Sequence, residues 1–275
     1  MLAKRYKRTK MDYPCYVQPK LNGVRACWLG DRLQSRSYGR DESLLWDERV
    51  LPHIFEALKQ FPSCFFDGEL YLHGWSLQKI NSCARVTSTT PHKEHLSLQF
   101  HIFDLISDEP YYRRLEKLQA LNEKPGFNSP LFLVETIFCH DENFGDLCYR
   151  NWKANNFEGS IYRNMNAHYG FEHDCPNQEN RWSHLVKRKE RLDMEVECIG
   201  VVESEKFVAI KEPHVKSLIL RTDRGIVFNA GGGLSHDERI RFLESPPEGC
   251  LVRISYDSLS ETHTPLQPSI EVVYV

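Results

Sequence analysis

The sequence predicts an α+β fold in two domains, the second of them a small all-β barrel. Three observations point there. Strand-like runs recur through the first two thirds of the chain, at 65–71, 98–106, 157–163 and 185–189. A helical stretch among them carries Arg113, Arg114 and Lys117. From Asp193 to Val202 the chain alternates like a strand and then continues as short strands with turn signals between them, the rhythm of a barrel. A chain of 275 residues has room for two compact cores. The break falls near Glu190–Asp193, giving domains 1–190 and 191–275.

Taken in order, the first informative segment is Gln18-Pro-Lys-Leu-Asn-Gly-Val-Arg25. Asn22-Gly23 favours a turn with positive φ, which folds the backbone back and aims Lys20 and Arg25 into one space. In Phe65-Phe66-Asp67-Gly68-Glu69-Leu70-Tyr71 the two-residue period puts Asp67 and Glu69 on one side of a strand, facing either water or a ribose hydroxyl and a hydrated magnesium ion. The run at 98–106 carries Phe103, either core or a stacking face for a purine. Phe157-Glu158-Gly159 again sets an acid before a glycine at a strand start, and Leu185-Val-Lys-Arg-Lys189 puts Lys187 and Lys189 on one face and Val186 and Arg188 on the other.

In order and spacing these segments resemble the motifs of the covalent nucleotidyltransferase superfamily, which comprises ATP-dependent DNA ligases, RNA ligases and mRNA capping enzymes. Lys20 to Arg25 is similar to its K-x-D-G-x-R motif, with Asn22 in place of the usual Asp, and Ser35-Arg36 falls where the family carries a serine-arginine pair. Gly225 to Arg239, with its triple glycine, and Gly249 to Tyr256 resemble the strand, glycine turn, short helix and closing strands of a ligase OB-fold. This favours a resemblance to the minimal ATP-dependent DNA ligases found in viruses, phages and some bacteria. It implies an adenylation domain of antiparallel sheets with flanking helices, followed by the OB-fold.

The resemblance also implies roles. Lys20 attacks the α-phosphorus of ATP, pyrophosphate leaves, and the lysyl-AMP passes its AMP to the 5′-phosphate of a nick in duplex DNA, where the 3′-hydroxyl displaces it. An amine attacks only when uncharged, and the cations Arg25, Lys187 and Lys189 disfavour its charged form. Glu69 and Arg25 then meet the ribose, Phe103 stacks on adenine, Gln18 reads the adenine edge, and Lys187 and Lys189 counter the phosphate charge. Glu158 holds Mg²⁺, or Mn²⁺ in its place, with Asp67 supporting the metal or its water shell. Arg36 takes the nick phosphate, and Arg188 also binds DNA. ATP is favoured over NAD⁺ because the nineteen residues before Lys20 leave no room for the extra domain of NAD⁺-dependent ligases. Two features depart from the family. The segment Ser269–Val275 holds no arginine or lysine where many relatives carry a basic motif for the pyrophosphate, a part open to Arg181 or Arg253. Little space between Val202 and Leu218 is left for a loop that latches around DNA.

Composition bounds the rest. No run approaches the roughly 20 apolar residues that cross a bilayer, and no signal peptide or repeat is present. Nine cysteines without zinc spacing imply reduced thiols in a cytosol, and His173 with Cys175 is too little for a metal site. The net charge of −3 matters less than its distribution: Lys4, Arg5, Lys7, Arg8 and Lys10 crowd the N-terminus and Arg181 to Arg191 the domain junction. A monomer on nicked double-stranded DNA, with no membrane partner, is the expectation. An RNA ligase, a capping guanylyltransferase or a non-catalytic OB-fold binder of nucleic acid are the alternatives.

Overall fold

The structure is a computed structural model that describes residues 3–6, 12–35, 45–85, 90–170, 182–204 and 213–275. Two compact units divide the chain, Met1–Lys189 and Glu190–Val275.

In chain order the first unit runs β1 (Ala3–Arg5), β2 (Cys15–Lys20), β3 (Val24–Trp28), β4 (Leu33–Ser35), α1 (Pro52–Leu58), β5 (Phe66–Tyr71), α2 (Leu77–Cys83), β6 (Gln99–Leu105) and α3 (Tyr111–Asn122). It continues with β7 (Leu131–Leu133), β8 (Ile137–Cys139), α4 (Glu142–Ala154), β9 (Gly159–Asn164) and β10 (Trp182–Lys189). These strands form two five-stranded sheets, ordered β1-β10-β9-β2-β8 and β4-β3-β5-β6-β7. Pairing is antiparallel except for β1 with β10 and β6 with β7.

Helix α4 shows how sequence pattern becomes packing. Asp141 caps it, accepting from Phe144 N at 2.9 Å. Its buried residues, Gly145, Cys148, Tyr149 and Trp152, recur at helical spacing, and Cys148 and Trp152 pack with Val17, Tyr162 and Val186 on one face of the first sheet. The second sheet has its own core, in which Trp28, Phe66, Leu70 and Phe100 meet Ile54, Phe55 and Leu58 of α1 and Ile80 of α2.

The turn after Lys20 is not the one expected. Neither Asn22 nor Gly23 has positive φ, and β2 and β3 do not pair as a hairpin. Residues 21–23 instead carry the chain from one sheet to the other. Glycine is needed here for proximity: a Cβ at Gly23 would lie 2.3 Å from Leu70 O and 2.7 Å from Glu69 Cγ.

The second unit runs β11 (Leu192–Glu203), β12 (Val215–Arg221), β13 (Val227–Ala230), α5 (His236–Glu244), β14 (Leu251–Tyr256), β15 (Ser258–Leu259), β16 (Pro265–Leu266) and β17 (Ser269–Tyr274). Five of the strands form a sheet ordered β13-β12-β11-β14-β17, and β15 and β16 pair separately. Its two ends meet where Gly232 bridges to Ser269 and accepts from Ile270 N at 2.7 Å, so the sheet curls into a barrel. The triple glycine forms that junction. Phe242 of α5 packs into the barrel core with Val196, Leu218, Val252 and Ile254, and Ser235 and Glu238 close a capping box at the helix start. Residues 205–212, where the sequence leaves little room for a latching loop, lie outside the described residues. No helix among the described residues is long and apolar enough to cross a membrane.

Replacing Gly23 by Ala should destabilise the protein by about 2 kcal/mol or more through overpacking, whereas Asn22→Asp, at an exposed position, should stay within about 0.5 kcal/mol. Denaturant unfolding of the two variants checks both values.

Candidate functional site

Residues directly opposite one another in antiparallel strands share a face, and this places the central groups. Lys20 on β2 lies opposite Gly159 on β9, and Gly159 lies opposite Lys189 on β10. The next row on the same face is Gln18, Ile161 and Lys187. Glu158, just ahead of Gly159, therefore falls between two lysines. Its Oε2 is ion-paired with Lys20 Nζ, its Oε1 lies 3.2 Å from Lys189 Nζ, and its backbone N donates to Lys20 O at 3.1 Å. All three side chains keep some solvent access, 16 to 20 %. Gly159 must lack a side chain, since a Cβ there would sit 2.0 Å from Arg188 O.

The second sheet supplies an opposing set. Arg25 lies opposite Glu69, and Cys27 opposite Asp67. Arg25 forms a two-pronged ion pair with Asp67, Nε to Oδ1 at 2.8 Å and Nη2 to Oδ2 at 2.6 Å, and Tyr169 OH donates to Oδ2 at 2.8 Å. Burial alone would raise the Asp67 carboxyl, but the Arg25 charge and hydrogen bonds, helped by the Tyr169 hydroxyl, hold it below the usual range. Glu69 accepts from Gly23 N at 3.2 Å. Burial pushes its carboxyl up to about 7, against the opposing pull of Lys20 and Arg25.

Lys20, Glu158 and Lys189 thus form one cluster, with Lys187 on the same face and Glu69 within the electrostatic reach of Lys20. Asp67 is placed differently from its expected part at a metal. It is fully buried and both its oxygens already accept from Arg25, so it orients that arginine instead. Gln18 is only 2 % exposed and its amide is spent inside the protein. Its Nε2 donates to Thr136 Oγ1 at 2.8 Å, Tyr111 OH at 3.0 Å and Phe103 O at 3.3 Å, and its Oε1 accepts from Arg163 Nε at 2.7 Å. No edge of it is left for adenine.

Arg188 points to the opposite face, as its alternation with Lys187 requires. There it is ion-paired with Asp146 and lies 4.1 Å over the Tyr149 ring, away from the Lys20 cluster. Arg114 faces inward from α3, 1 % exposed, and pairs with Asp104. Arg253 pairs with Asp193 at 3.4 Å on the barrel surface. Arg36 and Arg181, like Lys7, Arg8, Lys10, His173 and Cys175, lie outside the described residues.

Sequence reasoning gave no role to Tyr169, Arg163 or Asp104, although Asp104 stands in the Phe103-Asp104 motif. Asp104 carries a faint signal, a carboxylate at an apolar position of a strand. Tyr169 carries none, because only the folded chain brings it to Asp67.

Among the described residues no group of three or more His, Cys, Asp and Glu is placed to hold a metal. The donor set beside Lys20 is one carboxylate, Glu158. That suits a magnesium ion, which binds through one or two carboxylates and keeps its other positions for water and substrate phosphates. A separate cavity of about 420 Å³ opens between α3 and β7, lined by Leu115, Phe127 and Leu131 among others, and none of its lining residues belongs to the cluster.

No family model matches the sequence, and no curated protein is similar to it in sequence. Solved structures are similar in fold. A Lig E DNA ligase, from work on DNA binding with a minimal scaffold, matches 100 % of this chain and 98 % of its own with a TM-score of 0.79 at 22 % identity. The fold is that of the DNA ligases. The Chlorella virus DNA ligase-adenylate matches 99 % of this chain and 97 % of its own, with a TM-score of 0.52 at 18 % identity. The ATP-dependent DNA ligase of bacteriophage T7, solved in complex with ATP, has the same TM-score and coverage at 15 % identity. This ligase fold joins a nucleotidyltransferase unit to an OB-fold unit, as the resemblance implied.

The Glu69 carboxyl gives a pH-dependent outcome. Its value of about 7 stands above the ordinary 4.5, so its contribution to stability is fully present below about 4.5 and lost as pH rises through 7. Relative to Glu69→Gln, the unfolding free energy of the wild type should fall between pH 4 and pH 8 by on the order of 3 kcal/mol, checked by denaturant unfolding at each pH.

Proposed function

We propose that this chain is an ATP-dependent DNA ligase that seals nicks in duplex DNA through an AMP bonded to Lys20. The observation that carries the reading is the Lys20–Glu158–Lys189 cluster, set opposite Arg25 and Glu69 in a nucleotidyltransferase unit. The T7 and Chlorella virus neighbours, solved with ATP and as an adenylate, support ATP as the donor. The Lig E neighbour supports DNA as the partner.

In the first step the Lys20 Nζ lone pair forms a bond to the α-phosphorus of ATP as the bond to the β-phosphate oxygen breaks. Pyrophosphate leaves, and the proton lost from Nζ passes to water in the partly open cleft. Lys20 must first be freed from its ion pair. Glu158 would be the residue to hold Mg²⁺ or Mn²⁺, and an ion there would compete with Lys20 for the carboxylate and counter charge on the phosphate oxygens. Lys187 and Lys189 add fixed positive charge on the same face. On the other sheet, Glu69 and the Asp67-oriented Arg25 bind the ribose, and Phe103 stacks on the base. A nick 5′-phosphate oxygen then displaces Lys20 from the AMP phosphorus. Finally the 3′-hydroxyl oxygen attacks the activated 5′-phosphate, AMP departs and a proton is lost, which closes the backbone. A monomer working in the cytosol completes the reading.

Incubation with α-labelled ATP and Mg²⁺ should label the wild type and leave Lys20→Ala unlabelled on denaturing gels, and a nicked duplex should discharge the label into a joined strand. Label that stays on Lys20→Ala, or that is discharged only by RNA ends, overturns the reading. With nick binding resting on surface charge, sealing should be unusually salt-sensitive: if about three phosphate contacts are made, the binding constant falls by roughly 40-fold between 50 and 200 mM salt. Titration of sealing against salt gives the slope.

A further inference from the structure

Arg163 is 5 % exposed, on the cleft face of β9, and its guanidinium serves two sheets at once. Its Nε donates to Gln18 Oε1 at 2.7 Å, on β2 two residues before Lys20. Its Nη1 donates to Asp104 Oδ2 at 2.9 Å, on β6, and the group lies over the rings of Phe103 and Tyr111 at 5.1 and 4.9 Å. Charge balance does not call for it. Asp104 is already held by both prongs of Arg114, at 2.7 and 3.1 Å, and accepts from Leu105 N at 2.8 Å.

A second buried guanidinium on a carboxylate that is already paired is costly to desolvate. What it adds is geometry. A planar fork reaches Gln18 and Asp104 in fixed directions while its flat face covers an aromatic ring, which a lysine ammonium cannot do. The Gln18 amide is locked in turn, because Arg163 has only donors and must face the carbonyl oxygen.

We propose that Arg163 is a positioning residue that fixes the Phe103 ring relative to the Lys20 strand, so that a nucleotide base stacked on Phe103 delivers its α-phosphorus to Lys20. This rests on the reading of Phe103 as the base platform. Reacting atoms must come within about 3–3.5 Å in line, and a displacement near 1 Å costs about 100-fold in rate. Arg163 therefore acts on the rate of adenylation through Phe103, touching neither ATP nor Lys20.

The test is a double-mutant cycle on self-adenylation by the full chain, with rate at saturating ATP and KM for ATP measured for wild type, Arg163→Lys, Phe103→Leu and both together. Arg163→Lys should lower the saturating rate by about tenfold or more. Phe103→Leu should raise KM, and with the ring gone Arg163→Lys should add less than about twofold. If Phe103→Leu changes neither quantity, the platform reading fails and takes this inference with it. If Phe103→Leu acts but Arg163→Lys adenylates at the wild-type rate, or lowers the rate equally with and without the ring, the Arg163 role alone is overturned. Thermal melting of Arg163→Lys and of a second variant, Arg163→Gln, guards the result: loss of the fold in both assigns Arg163 a purely structural part, whereas a folded Arg163→Gln should show the same ring-dependent loss of rate.

Discussion

The pairing register of β2, β9 and β10 is the constraint on which the cleft depends. Lys20, Gly159 and Lys189 stand in one row across three neighbouring strands, which puts Glu158, the residue just before β9, beside both amines. A slip of one residue in β10 would turn Lys187 and Lys189 toward α4 and bring Arg188 to the cleft face. The bare Gly159 backbone permits the close contact with Arg188 O that holds this register. Strands position groups more tightly than loops do, and here the candidate nucleophile and its ion-pair partners lie at strand ends.

The second feature of the first unit is how much charge it buries. Arg25–Asp67 and Arg114–Asp104–Arg163 remove five ionised groups wholly or largely from water. Such groups are weak contributors to net stability, since desolvation offsets most of their attraction, but each is strongly destabilising when its partner is lost. What they confer here is direction. Asp67, with Tyr169, holds Arg25 toward the space that Glu69 borders. Asp104, with Arg163, ties β6 to β2.

The sequence made Lys187 and Lys189 legible because strand alternation is local and sets the face on which each side chain emerges, whereas Lys20 and Glu158 were legible through the likeness of their segments to known motifs. It made the barrel legible for the same reason, through the alternation of β11 and the short strands after it. It failed where a second element decides the outcome. Asn22-Gly23 is a hairpin signal by composition, yet β2 and β3 enter different sheets, and the glycine answers to Leu70 and Glu69 on β5. Asp67 and Gln18 look available in sequence, and only Arg25, Tyr169, Tyr111, Thr136 and Arg163, from as far as 145 residues away, show that their polar atoms are already engaged.

The amino-acid sequence by itself therefore determined the α+β class, the barrel-like rhythm after Asp193 and the shared face of Lys187 and Lys189, because these follow from the local two-residue period of a strand. Tertiary structure alone decided which carboxylate stays accessible and which is locked. Glu158 meets its lysines at the partly open end of three strands, while Asp67 and Asp104 are closed in by arginines arriving from other parts of the chain. That distinction is one of burial, and burial is settled only when the two sheets and their helices have packed.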